Sequence, residues 1–277
     1  MKRTLFSAVI SFTLAVLVCG IMILVGYRKF MNVETIEFDP HLEIFLGGGG
    51  NSLVLTSEDG SLALVVDTKL ASAARFMRKH VKAQNIIVVN THAHDDHTGG
   101  NRLYGGARFI SGAYTLDQWK RLAPKQAYPQ ETVKPGEEMT LQVGSEIVHL
   151  RNMGAAHTTN DLVVYLEHRQ LLMTGDLVFL NRHPVLSAAS GCTVSGWISA
   201  IDSLSALYSI KTLLPGHGEV SDKSALPAMK EYFVSIRDAR DNPARLKELK
   251  KKYSNYSSVP AMADFKKTLA YIKKETK

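Results

Sequence analysis

"VVNTHAHDDHTGGN", residues 88–101, decides how this chain is read. An apolar run ends at Asn90, three histidines and two aspartates fill positions 92–97, and Gly99 and Gly100 follow. Ionisable groups set side by side gain nothing from packing, and they are costly to bury without partners. A metal ion removes the difficulty. Residues two apart in an extended segment project to the same side, so His92 and His94 can reach one ion. Asp96 and His97 come where the chain must turn, and the two glycines permit that turn. The turn aims Asp96 and His97 at a second, nearby point.

The cluster is not alone. His157 lies in "NMGAAHTTND", beyond the strand-like "SEIVHL". Asp176 ends "LLMTGD", and His217 lies in "LLPGHG". Each sits beside glycine at the end of an apolar run. Side chains delivered from several strand ends are how a rigid scaffold assembles a site.

Working outward, "LEIFLGGGGNSLVLTSEDGSLALVVD" holds three apolar runs separated by turn chemistry, which predicts an antiparallel meander. "GGGGN" lacks the lysine and following helix of a phosphate loop and reads as a hairpin turn. Apolar spacing predicts a helix over 70–82, then a buried strand in "NIIVVN", a strand in "GGARFIS" and a helix in "GAYTLDQWKRL". Residues 123–136 are polar and read as a surface loop. Two hairpins follow, in "EMTLQVGSEIVHLRNM" and "DLVVYLEHRQLLMTGD". "VSGWISAIDSLSALY" is an amphipathic helix, "KTLLPGHG" a buried strand, and the chain from Asp222 is mostly helical. Strands then helix, twice over, predict an α/β fold with two sheets covered by helices, a four-layer αββα sandwich. His41, His80, His149 and His168 match no motif and read as surface or strand-face residues. His183, in "NRHP", is a candidate for the pocket rim.

The chain has 277 residues and a formal net charge of +7. From Arg237 to Lys277 there are 12 Lys and Arg against 5 Asp and Glu, so the excess belongs to the tail. The rest of the chain is balanced and shows no basic groove with interleaved aromatics, which argues against a nucleic-acid partner. The tail reads as a solvated helix face or as a segment lying against an anionic membrane surface. Two cysteines, Cys19 and Cys192, make no disulfide framework.

The N-terminus carries Lys2 and Arg3, then no charge from Thr4 to Tyr27. Residues 5–26 are long enough to span a bilayer as a helix, which takes roughly 20 apolar residues. We read an uncleaved membrane anchor with the folded domain outside the cytoplasm; the alternative is a signal peptide, cleaved to leave a secreted or periplasmic protein. The expected organisation is a signal anchor over 1–30, a domain carrying the histidine cluster over 31–235 and a basic helical tail over 236–277.

"THAHDDH", "GAAHT", "TGD" and "PGHG", in this order, resemble the metallo-β-lactamase-fold hydrolase superfamily, over roughly residues 40–220. The resemblance implies an αββα sandwich with a dinuclear metal site at one edge. It implies a first ion on His92, His94 and His157, a second on Asp96, His97 and His217, and Asp176 bridging them. The ligand set suits two zinc ions, with iron or manganese as alternatives. The implied reaction is metal-assisted hydrolysis of a small molecule, in which activated water attacks the carbonyl of an ester, lactone, thioester or lactam and Asp96 orients the water and shuttles its proton. Alternatives within the resemblance are a glyoxalase II-like thioesterase and an iron-dependent persulfide dioxygenase; a non-enzymatic metal-binding protein is the third class. Against a true β-lactamase, members of the cysteine-bearing subclass have Cys where this chain has Asp176. They also have a carboxylate-binding Lys where it has Phe179.

Overall fold

The computed structural model describes residues 31–275. The anchor read at 5–26 and Cys19 lie outside them. Among the described residues no helix is long and apolar enough to cross a membrane.

The chain runs β1 (Val33–Asp39), β2 (Leu42–Gly47), β3 (Ser52–Thr56), β4 (Leu62–Val66), α1 (Ala71–Arg78), β5 (Asn85–Val89), α2 (Asp95–Thr98), β6 (Arg108–Gly112), α3 (Leu116–Leu122) and β7 (Glu131–Val133). It continues through β8 (Glu138–Val143), β9 (Glu146–Asn152), β10 (Leu162–Leu166), β11 (Leu171–Phe179), α4 (Val194–Leu207), β12 (Thr212–His217), α5 (Ala225–Asp238), α6 (Pro243–Lys252) and α7 (Phe265–Glu275). β1 to β7 form one sheet in sequence order, antiparallel through β4 and parallel from β4 to β7. The second sheet has the order β12-β11-β10-β9-β8, with only β11 and β12 parallel.

Strand periodicity sorts the side chains into layers. Leu64 and Val66 of β4, Ile87 and Val89 of β5, and Leu162, Val164 and Leu166 of β10 meet between the sheets. Their neighbours Ala63, Val65 and Val88 point the other way, under Met77 of α1. Val163 and Leu172 likewise point outward, under Trp197 and Ile201 of α4. Burial on both faces explains the uninterrupted apolar runs, each large side chain contributing about 1.5–3 kcal/mol. The result is the expected αββα sandwich.

Two strands were not expected. β1 is a half-exposed edge strand whose glutamates dilute its apolar signal. β7 lies within the expected loop and has three residues, too few to show a period; it exists by parallel pairing with β6.

The C-terminal residues are built into the second helical layer. α5 runs straight through position 235. Ile236, Leu249, Tyr253, Phe265 and Ile272 belong to the same hydrophobic cluster as Trp197. The Glu275 carboxylate accepts from the backbone N–H of Val194 (2.9 Å) and Ser195 (3.3 Å), supplying the N-terminus of α4 with the anionic cap its own sequence lacks.

Candidate metal centre

All seven expected ligands converge at one edge of the sandwich. β5 delivers "THAHDDH": His92 and His94 extend from its end, and Asp96 and His97 ride on the single turn α2. His157 comes from the β9–β10 loop, and His217 is the last residue of β12. Asp176 differs from expectation. It does not end its strand, because β11 continues to Phe179. Instead the register against β12 shifts between Gly175 and Phe179, and the resulting bulge turns Asp176 toward the histidines.

The ligand atoms form two groups, each with all its atoms within 4.8 Å of one another. In the first, His94 Nδ1 lies 3.1 Å from His92 Nε2 and 3.0 Å from His157 Nε2. Asp176 Oδ2 stands 3.3 Å from His157 Nε2 and 3.8 Å from His92 Nε2. In the second, Asp176 Oδ1 stands 3.1 Å from His97 Nε2 and 3.4 Å from His217 Nε2. Asp96 Oδ2 lies 3.3 Å from His217 Nε2 and 3.7 Å from His97 Nε2. One carboxylate thus turns one oxygen to each group.

The chemistry of the set fits metal ions. His97 Nε2 and Asp176 Oδ1 are buried and lack a hydrogen-bond partner. Orphaned polar atoms of this kind are rare unless an ion completes them. Burial holds His92 and His94 below the usual imidazole range and brings His157 down to about 3. All three are therefore neutral near pH 7, the form that binds metal. His217 is raised to about 9: burial opposes the charge, but Asp176 and Asp96 outweigh it. Asp96 is held low, since His97 and His217 outweigh its burial.

Other residues fix the rings. Asp67, at the end of β4, accepts from His97 Nδ1 at 2.7 Å. That selects the tautomer whose Nε2 faces the second group. The same carboxylate accepts from the Thr91 N–H at 2.8 Å and its hydroxyl at 2.7 Å, so it also pins the start of the histidine segment. His94 Nε2 lies 2.9 Å from Ser190 Oγ, which turns His94 Nδ1 inward. The "GGGGN" segment does more than reverse the chain. A Cβ on Gly50 would run into the His97 ring, so only glycine lets this loop lie against the site. The Asn51 side-chain amide donates to Pro215 O (2.9 Å) and Gly218 O (2.8 Å), tying the loop to the His217 loop. Sequence reasoning missed Asp67, Ser190 and Gly50; the one faint trace is that Asp67 closes the apolar run "LALVVD", as an acidic residue at a strand end. Asp67→Asn is expected to keep the fold and weaken the second ion about 10- to 100-fold, the usual cost of losing such a partner. Zinc titration against a competing chelator reads this, and unchanged affinity would remove Asp67 from the site.

A cavity of about 440 Å³ opens over both groups. Phe179 lines it and stacks on His217, with ring centroids 5.0 Å apart. Arg182 and His183 also line it. His183 is a buried wall residue, its Nδ1 2.7 Å from the Tyr232 hydroxyl. Arg182 is exposed.

Residues 46–217 match the family described as the Metallo-beta-lactamase superfamily. The chain is 31% identical over 183 residues to a metallo-beta-lactamase type 2 of Bacillus cereus, covering 64% of this chain and 70% of that protein. It is 29% identical over 175 residues to metallo-beta-lactamase IND-1 of Chryseobacterium indologenes, covering 61% and 72%. A metallo-beta-lactamase from Pontibacter korlensis shares the fold at a TM-score of 0.62 and 20% identity, over 72% of this chain and 99% of the other. The DIM-1 metallo-beta-lactamase shares it at 0.61 and 21% identity, over 72% and 96%. With seven candidate ligands gathered at one edge, the chain belongs to the metallo-beta-lactamase superfamily and is a metal-dependent hydrolase.

Proposed function

We propose that the chain is a dinuclear zinc hydrolase that cleaves the acyl C–O or C–S bond of an ester, lactone or thioester. The observation that carries this is Asp176, whose two oxygens face two separate nitrogen groups. Bound zinc would supply Lewis acidity and water activated near neutral pH. His92, His94 and His157 would hold the first ion; Asp96, His97 and His217 the second. Asp96 is 28% exposed against 5% for Asp176, so Asp96 is the carboxylate able to face water and substrate in the cavity. It orients the attacking water and takes its proton. Phe179 and the apolar wall shield the site from bulk water, which strengthens these interactions. Metal analysis of the purified full chain tests the reading. About two ions per chain are expected, with hydrolysis lost on chelation. A folded preparation that takes up no zinc, iron or manganese would overturn it.

A second reading has one observation in its favour. A lactam antibiotic carries a carboxylate beside its scissile ring. Arg182 lines the cavity with no ion pair among the described residues, and its guanidinium suits a carboxylate. Relatives named metallo-beta-lactamases point the same way. Against it, Phe179 offers no cation and His183 is engaged with Tyr232. Lactam opening is expected below ~10⁴ M⁻¹s⁻¹, the low end of ordinary enzyme efficiency, with esters or thioesters turned over measurably. Faster lactam opening that collapses in Arg182→Ala would make the second reading the correct one.

The charge-free run after Lys2 and Arg3 supports a single-pass anchor with the site outside the cytoplasm. Protease accessibility of the C-terminus in intact and lysed cells tests that placement.

A further inference from the structure

Two large apolar side chains remain 37% and 57% exposed at the rim of the cavity, Val259 and Met262. They belong to the segment between α6 and α7, far along the chain from every metal ligand. That segment lies beyond residue 217, where the family match ends. Its backbone is held in place. The Ser257 N–H donates to Asn181 O and Ser257 O accepts from the His183 N–H, both at 3.0 Å. Val259 and Ala263 pair across a tight turn, in which Ala261 takes φ 61°. α6 and α7 then anchor both ends in the core through Leu249, Tyr253 and Phe265. Apolar surface fixed in this way and left open to water is unfavourable unless something covers it. Leu70, Phe179 and Val185 continue the same apolar wall down to the ligands.

We propose that Val259 and Met262 form an acyl-chain subsite, so that the substrate is an ester or thioester of an unbranched aliphatic acid. The scissile carbonyl sits at Asp96 and the ligand groups, and the chain runs up the wall onto Met262. An unbranched thioether side chain adapts to a flexible aliphatic group better than a rigid one would. The hydrolysis balances as for any ester: water adds to the acyl carbon, the C–O or C–S bond breaks, the proton passes by way of Asp96 to the leaving alcohol or thiol, and the free acid departs. This inference rests on the hydrolase reading above.

The test uses the metal-loaded full chain in lipid nanodiscs, with empty nanodiscs as the blank. Hydrolysis of p-nitrophenyl acetate, butyrate and hexanoate is measured, alongside calorimetric binding of hexanamide, an uncharged probe that needs no turnover. Each buried methylene is worth about a factor of four. If half of the four added methylenes are covered, kcat/KM rises at least ~10-fold from acetate to hexanoate. In Met262→Gln the hexanoate-to-acetate ratio falls at least ~fivefold, mainly through KM, and hexanamide binding weakens in parallel; Met262→Leu restores both. Val259→Asn gives the same direction. Metal content and unfolding midpoint of each variant separate this from misfolding. A flat chain-length profile in an active wild type, or hexanamide binding unmoved by Met262→Gln, would overturn the subsite. If no ester is hydrolysed at full metal load while hexanamide still binds through Met262, the ester and thioester reading fails and the subsite stands.

Discussion

Asp176→Ala is expected to lower kcat/KM for the best ester by at least ~10³-fold, in line with losing a preorganised charge and a ligand together. Asp176 is the one side chain shared by both groups, with Oδ1 3.1 Å from His97 Nε2 and Oδ2 3.3 Å from His157 Nε2. It is also one of the two carboxylates that offset the charge of the second group, where His217 is raised to about 9. Without it, the Nε2 atoms of His97 and His217 keep only Asp96, whose oxygen lies 3.7 Å and 3.3 Å from them, while Asp67 still holds His97 through Nδ1. Metal content should fall from about two ions to about one. The first group retains three neutral imidazoles and so keeps its ion more firmly. Asp176→Asn, close in shape but uncharged, should fall between wild type and alanine in both readouts. The space is tight: a Cβ on Gly216 would strike Asp176 Oδ1, so the carboxylate has one place to stand. An alanine variant that still carries two ions and works within tenfold of wild type would show that the bridge is not what holds the site.

The seven candidate ligands that the fold gathers were legible because each is an anomaly where it stands. His92, His94, Asp96 and His97 interrupt the end of a buried strand. His157, Asp176 and His217 repeat that pattern beside glycines. The longer helices were legible from apolar spacing and the inner strands from unbroken apolar runs between turn residues, whereas the single turn of α2 read only as a turn. What the sequence could not show depends on distant segments meeting. Asp67 reaches His97 across 30 residues, and nothing local marks it as a hydrogen-bond acceptor for an imidazole. Ser190 lies 96 residues from His94. Val259 and Met262 sit in a polar, basic stretch whose composition points to solvent. Only the packing of α6 and α7 onto α4 and α5 brings their linker to the cavity. The glycine run was readable as a turn, but its contact with His97 was not. β1 and β7 were lost for a simpler reason: one alternates weakly at an exposed edge, and the other is shorter than any period.

Lys69→Met is expected to destabilise the protein by about 3 kcal/mol and to weaken the second metal ion as well. In "DTKLAS" this lysine looks like an ordinary residue before a helix. In the fold it is fully buried, and its Nζ donates to the carbonyls of Phe45 (2.9 Å), Gly47 (2.7 Å) and Gly50 (2.9 Å). Methionine fills most of the same space but offers no donor, so three inward-facing carbonyls lose their partner, each worth roughly 1–3 kcal/mol if left bare. Relief of the lysine's own desolvation offsets part of that. The loop held this way is the one that places Gly50 against His97 and donates from Gly50 N–H to Asp96 O at 3.1 Å. Slack there reaches both Asp96 and His97 at once. Burial brings the Lys69 ammonium down to about 7, against the pull of Asp67 and Asp96. Between that value and the ~10.4 of an exposed lysine, the unfolded chain binds the extra proton, so wild-type stability relative to Lys69→Met rises with pH across the window. Urea unfolding of the metal-free proteins at pH 7 and pH 9 measures both effects. A methionine variant as stable as wild type at pH 7 would mean that Lys69 does not hold the glycine loop, and a gap that shrinks toward pH 9 would mean that burial does not lower the Lys69 ammonium.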